Sequence, residues 1–414
     1  MKKKLLLLLC LVVAQFVKAQ TPSFDFTAVN SDGVTLYYKI TSEANREVKL
    51  AQNNAGNAYS TITRMVIPDK VKNAADHDKE YTVVDVGYSL AWRPNLEEIT
   101  FPNTLKHLDE WQPLIQAGVK RLTLPASCER YQAYIFHTQD KLEEVYLLRE
   151  TPPVSPAGFQ AFGMLNPAVF KGAYVPIDCS SAYKANPLWK TDPYDEHYHN
   201  FPLIYREQVT IGSTGYISFY LDTENFKVPK DCYAYIITGT KTGRTGYPDA
   251  QITAYGEGSI IPQKTGFILE APAGTLSYEA AVAVQATDPV ADVTNSMMVG
   301  TRTGEEFSGG NYKYYVFANG EKGLGFYHQG DRKGTSIKLR AHQAGLKLST
   351  SGPAPAKGFV LDFEEARRNL TTGIRSIVSQ DKQQQGTIYD LQGRRVTNPT
   401  RGIYIVNGKK QIFN

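Results

Sequence analysis

The residues whose types could do chemistry are densest between positions 192 and 199. This stretch contains Asp192, Asp195, Glu196, His197 and His199. Carboxylates and imidazoles bind divalent metal ions when they converge on one point. No strand or helix pattern fixes these side chains on one face, so a solvated loop is the favoured interpretation and no metal site is predicted.

No sequence motif identifies a catalytic centre. The chain has neither the Gly-x-Ser-x-Gly turn of serine hydrolases nor the His-Glu-x-x-His helix of zinc proteases. Carboxylate pairs for glycoside hydrolysis stay open, because such partners are far apart in a chain. We therefore predict no enzyme, no catalytic residue and no cofactor.

The N-terminal residues have the features of a secretory signal peptide. Lysines at positions 2–4 precede an apolar run, residues 5–17, that is too short to span a bilayer. Small residues then predict cleavage between Ala19 and Gln20. Cys10 leaves a lipoprotein as the alternative, with an acylated cysteine anchoring the mature chain.

Charge and cysteine usage exclude several classes of protein. The chain has 45 Lys+Arg and 41 Asp+Glu, and four of the lysines lie in the predicted signal peptide. The remainder is formally neutral, so nothing favours nucleic acid or an anionic membrane as partner. No later stretch is apolar and long enough to span a membrane. Cys128, Cys179 and Cys232 lack Cys-x-x-Cys spacing, so three buried thiols are favoured over one bridge, such as Cys128 to Cys179.

A repeat of 23 residues organises the first half of the chain. The heptads 96–102, 119–125 and 142–148 have apolar residues at their first, fourth and sixth positions, so that Ile99, Leu122 and Val145 are equivalent. In a strand, the fourth and sixth residues share one face. Parallel stacking would bury that face, and the pattern therefore predicts a short solenoid.

The third and fifth heptad positions should face solvent as neighbours on adjacent strands. We call these six residues the repeat ladder: Glu98, Thr100, Arg121, Thr123, Glu144 and Tyr146. Solenoids commonly bind ligands on an exposed strand face, so the repeat ladder is the predicted binding site. Alternatively its charges pair with one another, which contributes little when they are exposed.

The repeats resemble the BspA-type bacterial leucine-rich repeat. The resemblance is carried by residues 81–87, Tyr-Thr-Val-Val-Asp-Val-Gly, and 95–102, Asn-Leu-Glu-Glu-Ile-Thr-Phe-Pro. Residues 173–176 and 181–189 are similar to the closing unit of that family, with a short helix expected in the latter. A β-hairpin at 24–50 is expected to cap the other end. The resemblance implies a secreted or cell-surface protein, often an adhesin, and no enzyme.

The second half changes to short alternating strands separated by glycine-rich turns, which predicts an all-β sandwich or barrel. The expected domains are a signal peptide 1–19, a leucine-rich-repeat solenoid 20–204, an all-β domain 205–365, a linker 366–385 and a β tail 386–414. The predicted fold class is mainly β. Asn407-Gly408 indicates a hairpin in the tail.

The tail residues 388–396 and 402–410 resemble C-terminal sorting domains of the type IX export route. That resemblance implies the outer surface of a Gram-negative bacterium, with the secretion machinery as a partner; an inactive relic is the alternative. We predict a secreted or surface protein that recognises a host or cell-surface macromolecule, an extracellular protein or glycan, through the repeat domain. The alternative is polysaccharide binding by the all-β domain, where tyrosines would stack on sugars.

Overall fold

The computed structural model describes residues 23–137, 140–163, 165–190, 201–241, 249–350, 358–371, 388–397, 399–406 and 409–413. The predicted signal peptide, the cluster at 192–199 and residues 372–385 of the predicted linker lie outside them. The chain is mainly β, as predicted. It divides into two compact units. The first comprises the residues up to Pro176 together with Ala182–Tyr205, and the second comprises Ile177–Ser181 together with the residues from Arg206 onward.

The first unit is built of short strands. In the described residues they are β1 (Phe26–Val29), β2 (Thr35–Ser42), β3 (Glu47–Ala51), β4 (Arg64–Val66), β5 (Lys70–Asn73), β6 (Lys79–Asp85), β7 (Glu98–Thr100), β8 (His107–Trp111), β9 (Arg121–Leu124), β10 (Arg130–Ala133), β11 (Phe136–His137), β12 (Glu144–Leu147), β13 (Phe162–Gly163) and β14 (Gly172–Tyr174). Helix α1 (Ser180–Ala185) and a 3₁₀ turn (Pro187–Trp189) follow, where a short helix is predicted.

The predicted N-terminal hairpin is present but belongs to a larger sheet. Strands β1 and β2 pair antiparallel, with Phe26 opposite Tyr38, around a turn in which Gly33 has a positive φ of 77°. Only glycine enters that region without steric cost. Strands β3, β6 and β5 extend the sheet in the order β1-β2-β3-β6-β5. Its alternating apolar side chains, such as Leu36 and Tyr38, are fully buried.

Two of the three repeat heptads pair as parallel strands in the predicted register, whereas the first heptad strand, β7, lies in a separate sheet from β9. β9 pairs with β12 in parallel, with Leu122 opposite Val145, and β12 pairs with β14. β4 pairs with β7 in the same sense. A second parallel set lies about half a repeat away in sequence, where β8 pairs with β10 and β11 with β13. Ile99, Leu122 and Val145 are all buried, so the assignment of the apolar face is confirmed. The solenoid itself stays a prediction.

Trp189 anchors the last part of the first unit. Its ring makes edge-to-face contacts with Tyr131, Phe162 and Tyr183 at centroid distances of 5.8, 5.8 and 5.1 Å. The indole Nε1 donates to the carbonyl oxygen of Pro153 at 2.8 Å. A buried indole needs such a partner, because an unpaired N–H in an apolar core costs about 1–3 kcal/mol.

The second unit is also built of strands. Its described strands are β15 (Tyr205–Ile211), β16 (Tyr216–Leu221), β17 (Phe226–Lys227), β18 (Tyr233–Lys241), β19 (Asp249–Tyr255), β20 (Ile260–Ile261), β21 (Thr265–Glu270), β22 (Gly274–Glu279), β23 (Met298–Thr301), β24 (Glu305–Ser308), β25 (Tyr312–Gly320), β26 (Gly323–Tyr327), β27 (Ser336–Leu339), β28 (Gln343–Ser349) and β29 (Gly358–Val360). A 3₁₀ turn (Gly330–Arg332) precedes β27, and helix α2 (Phe363–Thr371) follows β29.

A nine-stranded, barrel-like sheet dominates this unit, in the order β16-β21-β18-β19-β29-β26-β25-β28-β23. Alternate residues of its strands enter two different apolar cores. Phe219 on β16 and Phe267 on β21 belong to one core, whereas Tyr220 and Ile268, their neighbours in sequence, belong to the other. Because side chains alternate across a strand, one sheet supplies both cores.

Two predictions in this half need correction. Helix α2 occupies residues 363–371, the first part of which was assigned to the all-β domain and the rest to the linker. Phe363 and Ala366 are buried in the core, which holds one face of the helix in place. The segment 177–181, predicted as part of the repeat domain, groups with the second unit. The carboxylate of Asp178 accepts the backbone N–H groups of Asp222 and Thr223 there.

The tail forms a four-stranded sheet in the order β31-β30-β32-β33, from β30 (Ile388–Tyr389), β31 (Arg395–Val396), β32 (Gly402–Val406) and β33 (Lys409–Phe413). Val406 pairs with Lys409, so the predicted hairpin is confirmed, although Asn407 and Gly408 lie outside the described residues. No described helix of the chain is apolar and long enough to span a membrane.

Candidate functional site

The repeat ladder is in the predicted register between β9 and β12, whereas its residues on β7 are paired with β4. Its charges are not free. Arg121 is opposite Glu144 across β9 and β12, and its Nε donates to Glu144 Oε2 at 2.8 Å. Arg64 on β4 is opposite Glu98 on β7, with 3.4 Å between Arg64 Nε and Glu98 Oε2. The charges of the ladder therefore pair within the repeats, which was the alternative to ligand binding.

Glu144 is buried, whereas the sequence predicts it to be exposed. The Tyr146 hydroxyl donates to the same Oε2 atom at 3.1 Å, and the Tyr146 ring stacks on Tyr174 of the next strand at 4.7 Å. Arg121 and Tyr146 thus cover the carboxylate from two sides. Of the other ladder residues, Glu98, Thr100, Arg121 and Thr123 are exposed and Tyr146 is half-buried.

Large exposed aromatic side chains lie elsewhere on the first unit. We call the following five residues the aromatic row: Tyr88, Trp92, Trp111, Tyr134 and Phe159. Tyr88, Trp92 and Trp111 are 46%, 51% and 45% exposed, and the other two are half-buried. Tyr88, Trp111 and Tyr134 are successive members of the 23-residue repeat. Isolated exposed apolar residues are ordinary, but a periodic set of large rings is typical of an interaction surface.

Ring contacts order the aromatic row. Trp111 meets Phe159 edge-to-face at 4.6 Å and Tyr134 at 5.7 Å, and Tyr134 lies 5.6 Å from Phe159. The Trp92 Nε1 group donates to the Tyr88 hydroxyl at 2.8 Å. Each ring is therefore held by a neighbour while part of its surface remains in contact with solvent.

Backbone strain accompanies two of these rings. Trp92 and Tyr134 have positive φ angles of 59° and 44°, a region that bulky residues rarely adopt. Backbone hydrogen bonds hold both turns, from Trp92 N to the carbonyl of Ile115 at 2.7 Å and from Tyr134 N to that of Gln160 at 2.9 Å. Strain of about 1–3 kcal/mol per residue persists where the surrounding structure enforces it, often at ligand-binding positions.

A group of possible metal ligands lies on β6 and on β8, the strand that also contains Trp111. Asp85 ends β6, and His107 and Asp109 are alternate residues of β8. One ligand atom from each lies within 4.8 Å of the others. Arg130 on β10 donates to Asp109 through Nη2 at 2.6 Å and through Nε at 3.0 Å.

A buried acid pair in the second unit has a structural role. Glu207 accepts hydrogen bonds from the hydroxyls of Ser180 at 2.9 Å and Tyr278 at 2.7 Å, and Glu224 accepts one from Ser181 N. Burial and the neighbouring Glu207 raise the pKa of Glu224 to about 9. These bonds attach the segment 177–181 to the second unit.

The described cysteines are buried. Cys128, Cys179 and Cys232 form no disulfide, as the favoured interpretation predicts. Burial raises the pKa of the Cys128 thiol to about 12, so the nucleophilic thiolate is scarce at neutral pH.

The sequence contained a signal for the aromatic row that its interpretation missed. Tyr88, Trp111 and Tyr134 are as regularly spaced as the core residues Ile99 and Leu122, but faces were assigned residue by residue only in the heptads. Tyr131 and Phe136 are fully buried, whereas Tyr134 between them is half-buried and has a positive φ. The predicted cluster at 192–199 lies outside the described residues.

No protein-family model and no curated protein matches this chain. A solved leucine-rich repeat protein from Bacteroides ovatus is similar over 34% of this chain and 63% of that chain, with 13% identity and a TM-score of 0.16. The match thus spans less than two thirds of that protein. A TM-score this low does not establish a shared fold.

Proposed function

We propose that this chain is a non-enzymatic extracellular binding protein that contacts a protein or glycan partner through its repeat domain. The observation that carries the proposal is the aromatic row, in which Tyr88, Trp92 and Trp111 each expose about half of their surface. Exposed tryptophan and tyrosine side chains dominate the energetics of binding surfaces, because they bury a large area while losing few rotatable bonds.

The spacing of the row suits an extended partner. Tyr88, Trp111 and Tyr134 recur once per repeat, which spreads the contacts along successive repeats instead of gathering them in one cleft. Strand β8, which contains Trp111, also contains two acidic residues in ion pairs. Glu110 pairs with Lys49 at 2.8 Å, and Asp109 pairs with Arg130 at 2.6 Å. An apolar centre with polar groups around it is the usual composition of a protein-binding surface.

The proposal keeps the repeat domain as the binding part and adds a second set of residues to the repeat ladder. Thr100 and Thr123 remain available on the ladder because their side chains are exposed, whereas Glu98 is paired with Arg64. Arg121 and Glu144 satisfy each other, so a partner would have to replace an existing ion pair to use them. Tyr88, Trp92 and Trp111, by contrast, each expose about half of their surface.

The compartment is part of the proposal. The predicted N-terminal signal peptide and the tail that resembles a sorting domain support export to the outer surface of a Gram-negative bacterium, and the BspA-type resemblance supports adhesion. In that compartment the partner would be a host or cell-surface macromolecule, and the tail would engage the secretion machinery.

The rival proposal, polysaccharide binding by the all-β domain, has less support. Most tyrosines of that domain pack in its interior, as Tyr220, Tyr235, Tyr255, Tyr278, Tyr314 and Tyr315 do. Among the described residues 205–365, Tyr312 is the tyrosine with substantial exposure, and the Lys347 ammonium lies 4.0 Å above its ring. A ring covered by a cation is a poor platform for a sugar.

The test is capture of matrix proteins and glycans by the exported chain. Trp111→Ala and Trp92→Ala should each weaken capture at least about tenfold, which corresponds to about 1.4 kcal/mol. Tyr312→Ala in the all-β domain and Arg121→Ala on the repeat ladder are the matched controls and should change capture less than about twofold. Loss of binding in Tyr312→Ala, with both tryptophan variants unaffected, would overturn the proposal in favour of the rival.

A further inference from the structure

We propose that Asp85, His107 and Asp109 form a binding site for a divalent transition-metal ion such as Zn²⁺. The three residues lie on β6 and β8, and one ligand atom of each is within 4.8 Å of the other two. His107 and Asp109 are two positions apart on a strand, so their side chains project from the same face. One imidazole nitrogen and two carboxylate oxygens match the ligand preference of zinc.

The distances around His107 are compatible with shared coordination of one metal ion. Its Nδ1 atom is 3.0 Å from Asp109 Oδ2 and 3.8 Å from Asp85 Oδ2. Nδ1 is nevertheless buried without a hydrogen-bond partner. Two ligands at about 2.1 Å from a tetrahedral zinc ion are about 3.4 Å apart, a value that lies between the two distances.

Asp85 supplies an independent observation. Its side chain is only 3% exposed. Oδ1 accepts the backbone N–H of Gly87 at 3.1 Å, while Oδ2 faces His107 and receives no hydrogen bond from the described residues. Burial of an ionised carboxylate is costly unless a positive charge compensates it. A bound cation would provide that charge.

Arg130 affects the proposed site in two ways, through the orientation of Asp109 and through its own positive charge. Its two hydrogen bonds to Asp109 fix the orientation of that carboxylate, as outer hydrogen bonds commonly do for metal ligands. Arg130 and the nearby Lys49 both oppose a second cation, but the carboxylates of Asp85, Asp109 and Glu110 outnumber these two positive charges. The Asp109 side chain is 38% exposed, which leaves room for water to complete the coordination.

The test uses a mature chain with His197→Gln and His199→Gln, called the background protein, because this closely spaced histidine pair could itself bind zinc. The background protein is titrated with ZnCl₂. Isothermal titration calorimetry should detect one zinc ion per chain. His107→Gln and Asp109→Asn should each weaken zinc binding at least about tenfold. The exposed Asp109 is the safer variant for folding. CaCl₂ should bind much more weakly, because calcium prefers oxygen ligands.

Glu80→Gln is the matched control, since Glu80 is on the same strand as Asp85 and pairs with Lys70 at 2.8 Å, away from the cluster. It should change zinc affinity less than about twofold. Zinc should raise the melting temperature of the background protein and leave that of His107→Gln unchanged. The proposed site would be overturned if the background protein failed to bind zinc. It would also be overturned if His107→Gln and Asp109→Asn bound zinc as tightly as the background protein does. Neither result bears on the proposed adhesion function.

Discussion

Arg121 Nε lies 2.8 Å from Glu144 Oε2, and the two residues are one 23-residue repeat apart on strands β9 and β12. The Tyr146 hydroxyl donates to the same oxygen at 3.1 Å. Because the repeat length fixes which residues face each other, it also fixes which charges meet. The charges of Arg121 and Glu144 in the repeat ladder therefore neutralise each other.

A double-mutant cycle should show that this ion pair contributes little. The Arg121 side chain is two-thirds exposed, so water screens its attraction to Glu144. We expect a coupling free energy of about 1 kcal/mol or less between Arg121→Gln and Glu144→Gln, measured by urea unfolding. A coupling above about 3 kcal/mol would mean that the pair is shielded from solvent.

Leu122 and Thr123 test the strand register. Leu122 is buried, so Leu122→Ala should lower the free energy of unfolding by about 2–5 kcal/mol through the cavity that it leaves. Thr123, its exposed neighbour, is the matched control, and Thr123→Ala should change stability by about 0.5 kcal/mol or less. Equal effects in urea unfolding would mean that the assumed face is wrong.

Glu224 predicts a pH dependence of stability. Burial, reinforced by the charge of Glu207, raises its pKa to about 9, against about 4.3 for an unfolded glutamate. Between these values the folded chain holds a proton that the unfolded chain releases, so stability falls as pH rises. Glu224→Gln cannot ionise. Relative to wild type, its free energy of unfolding should therefore increase between about pH 5 and about pH 8.

The measurement is urea unfolding at several pH values across that window. Exposed Glu257 provides the control, because Glu257→Gln should follow the wild-type curve. The difference between Glu224→Gln and wild type should grow by at most about 1.4 kcal/mol per pH unit. A difference that stays constant with pH would show that Glu224 does not titrate as proposed.

The tail should be separable from the rest of the chain. Its strands pair with one another in one sheet, from Ile388 opposite Val396 to Gly402 opposite Phe413. Deletion of residues 386–414 should leave the melting temperature of the remainder nearly unchanged and abolish surface display. A large drop in melting temperature with display intact would assign the tail a structural role instead.

The mature chain should begin at Gln20. Intact-mass measurement of exported protein checks this directly, because cleavage after Ala19 removes a defined mass. An acylated N-terminal Cys10 would instead make the protein a lipoprotein, and the apolar run would then be only partly removed.

Periodicity made the strand arrangement of the repeats predictable. The step from Leu122 to Val145 specifies a parallel pairing that is confirmed, and Ile99, Leu122 and Val145 are all buried as predicted. The step from Ile99 to Leu122 does not correspond to a strand pairing among the described residues, because β7 pairs with β4 and β9 pairs with β12. Alternation along β16 and β21 likewise indicated strands. Helix α2 was missed because its polar residues dominate the composition, while Phe363 and Ala366 alone are too few to mark an apolar face.

The candidate sites were less predictable because they depend on turns and on distant pairs. Tyr131 and Tyr134 are the same residue type, but Tyr131 is fully buried, whereas Tyr134 has a positive φ and is half-buried. Asp85 and His107 converge only because β6 and β8 are close in the fold. Glu144 was misassigned since the shielding by Arg121 and Tyr146 requires the three-dimensional register.

The two apolar cores of the nine-stranded sheet constrain how this chain can vary in length. Phe219 and Tyr220 enter opposite cores, and so do Phe267 and Ile268. A single inserted or deleted residue within β16 or β21 would exchange the two sets of side chains and misfit both cores at once. Heritable insertions and deletions should therefore accumulate in the turns of this unit, while its strands keep their length.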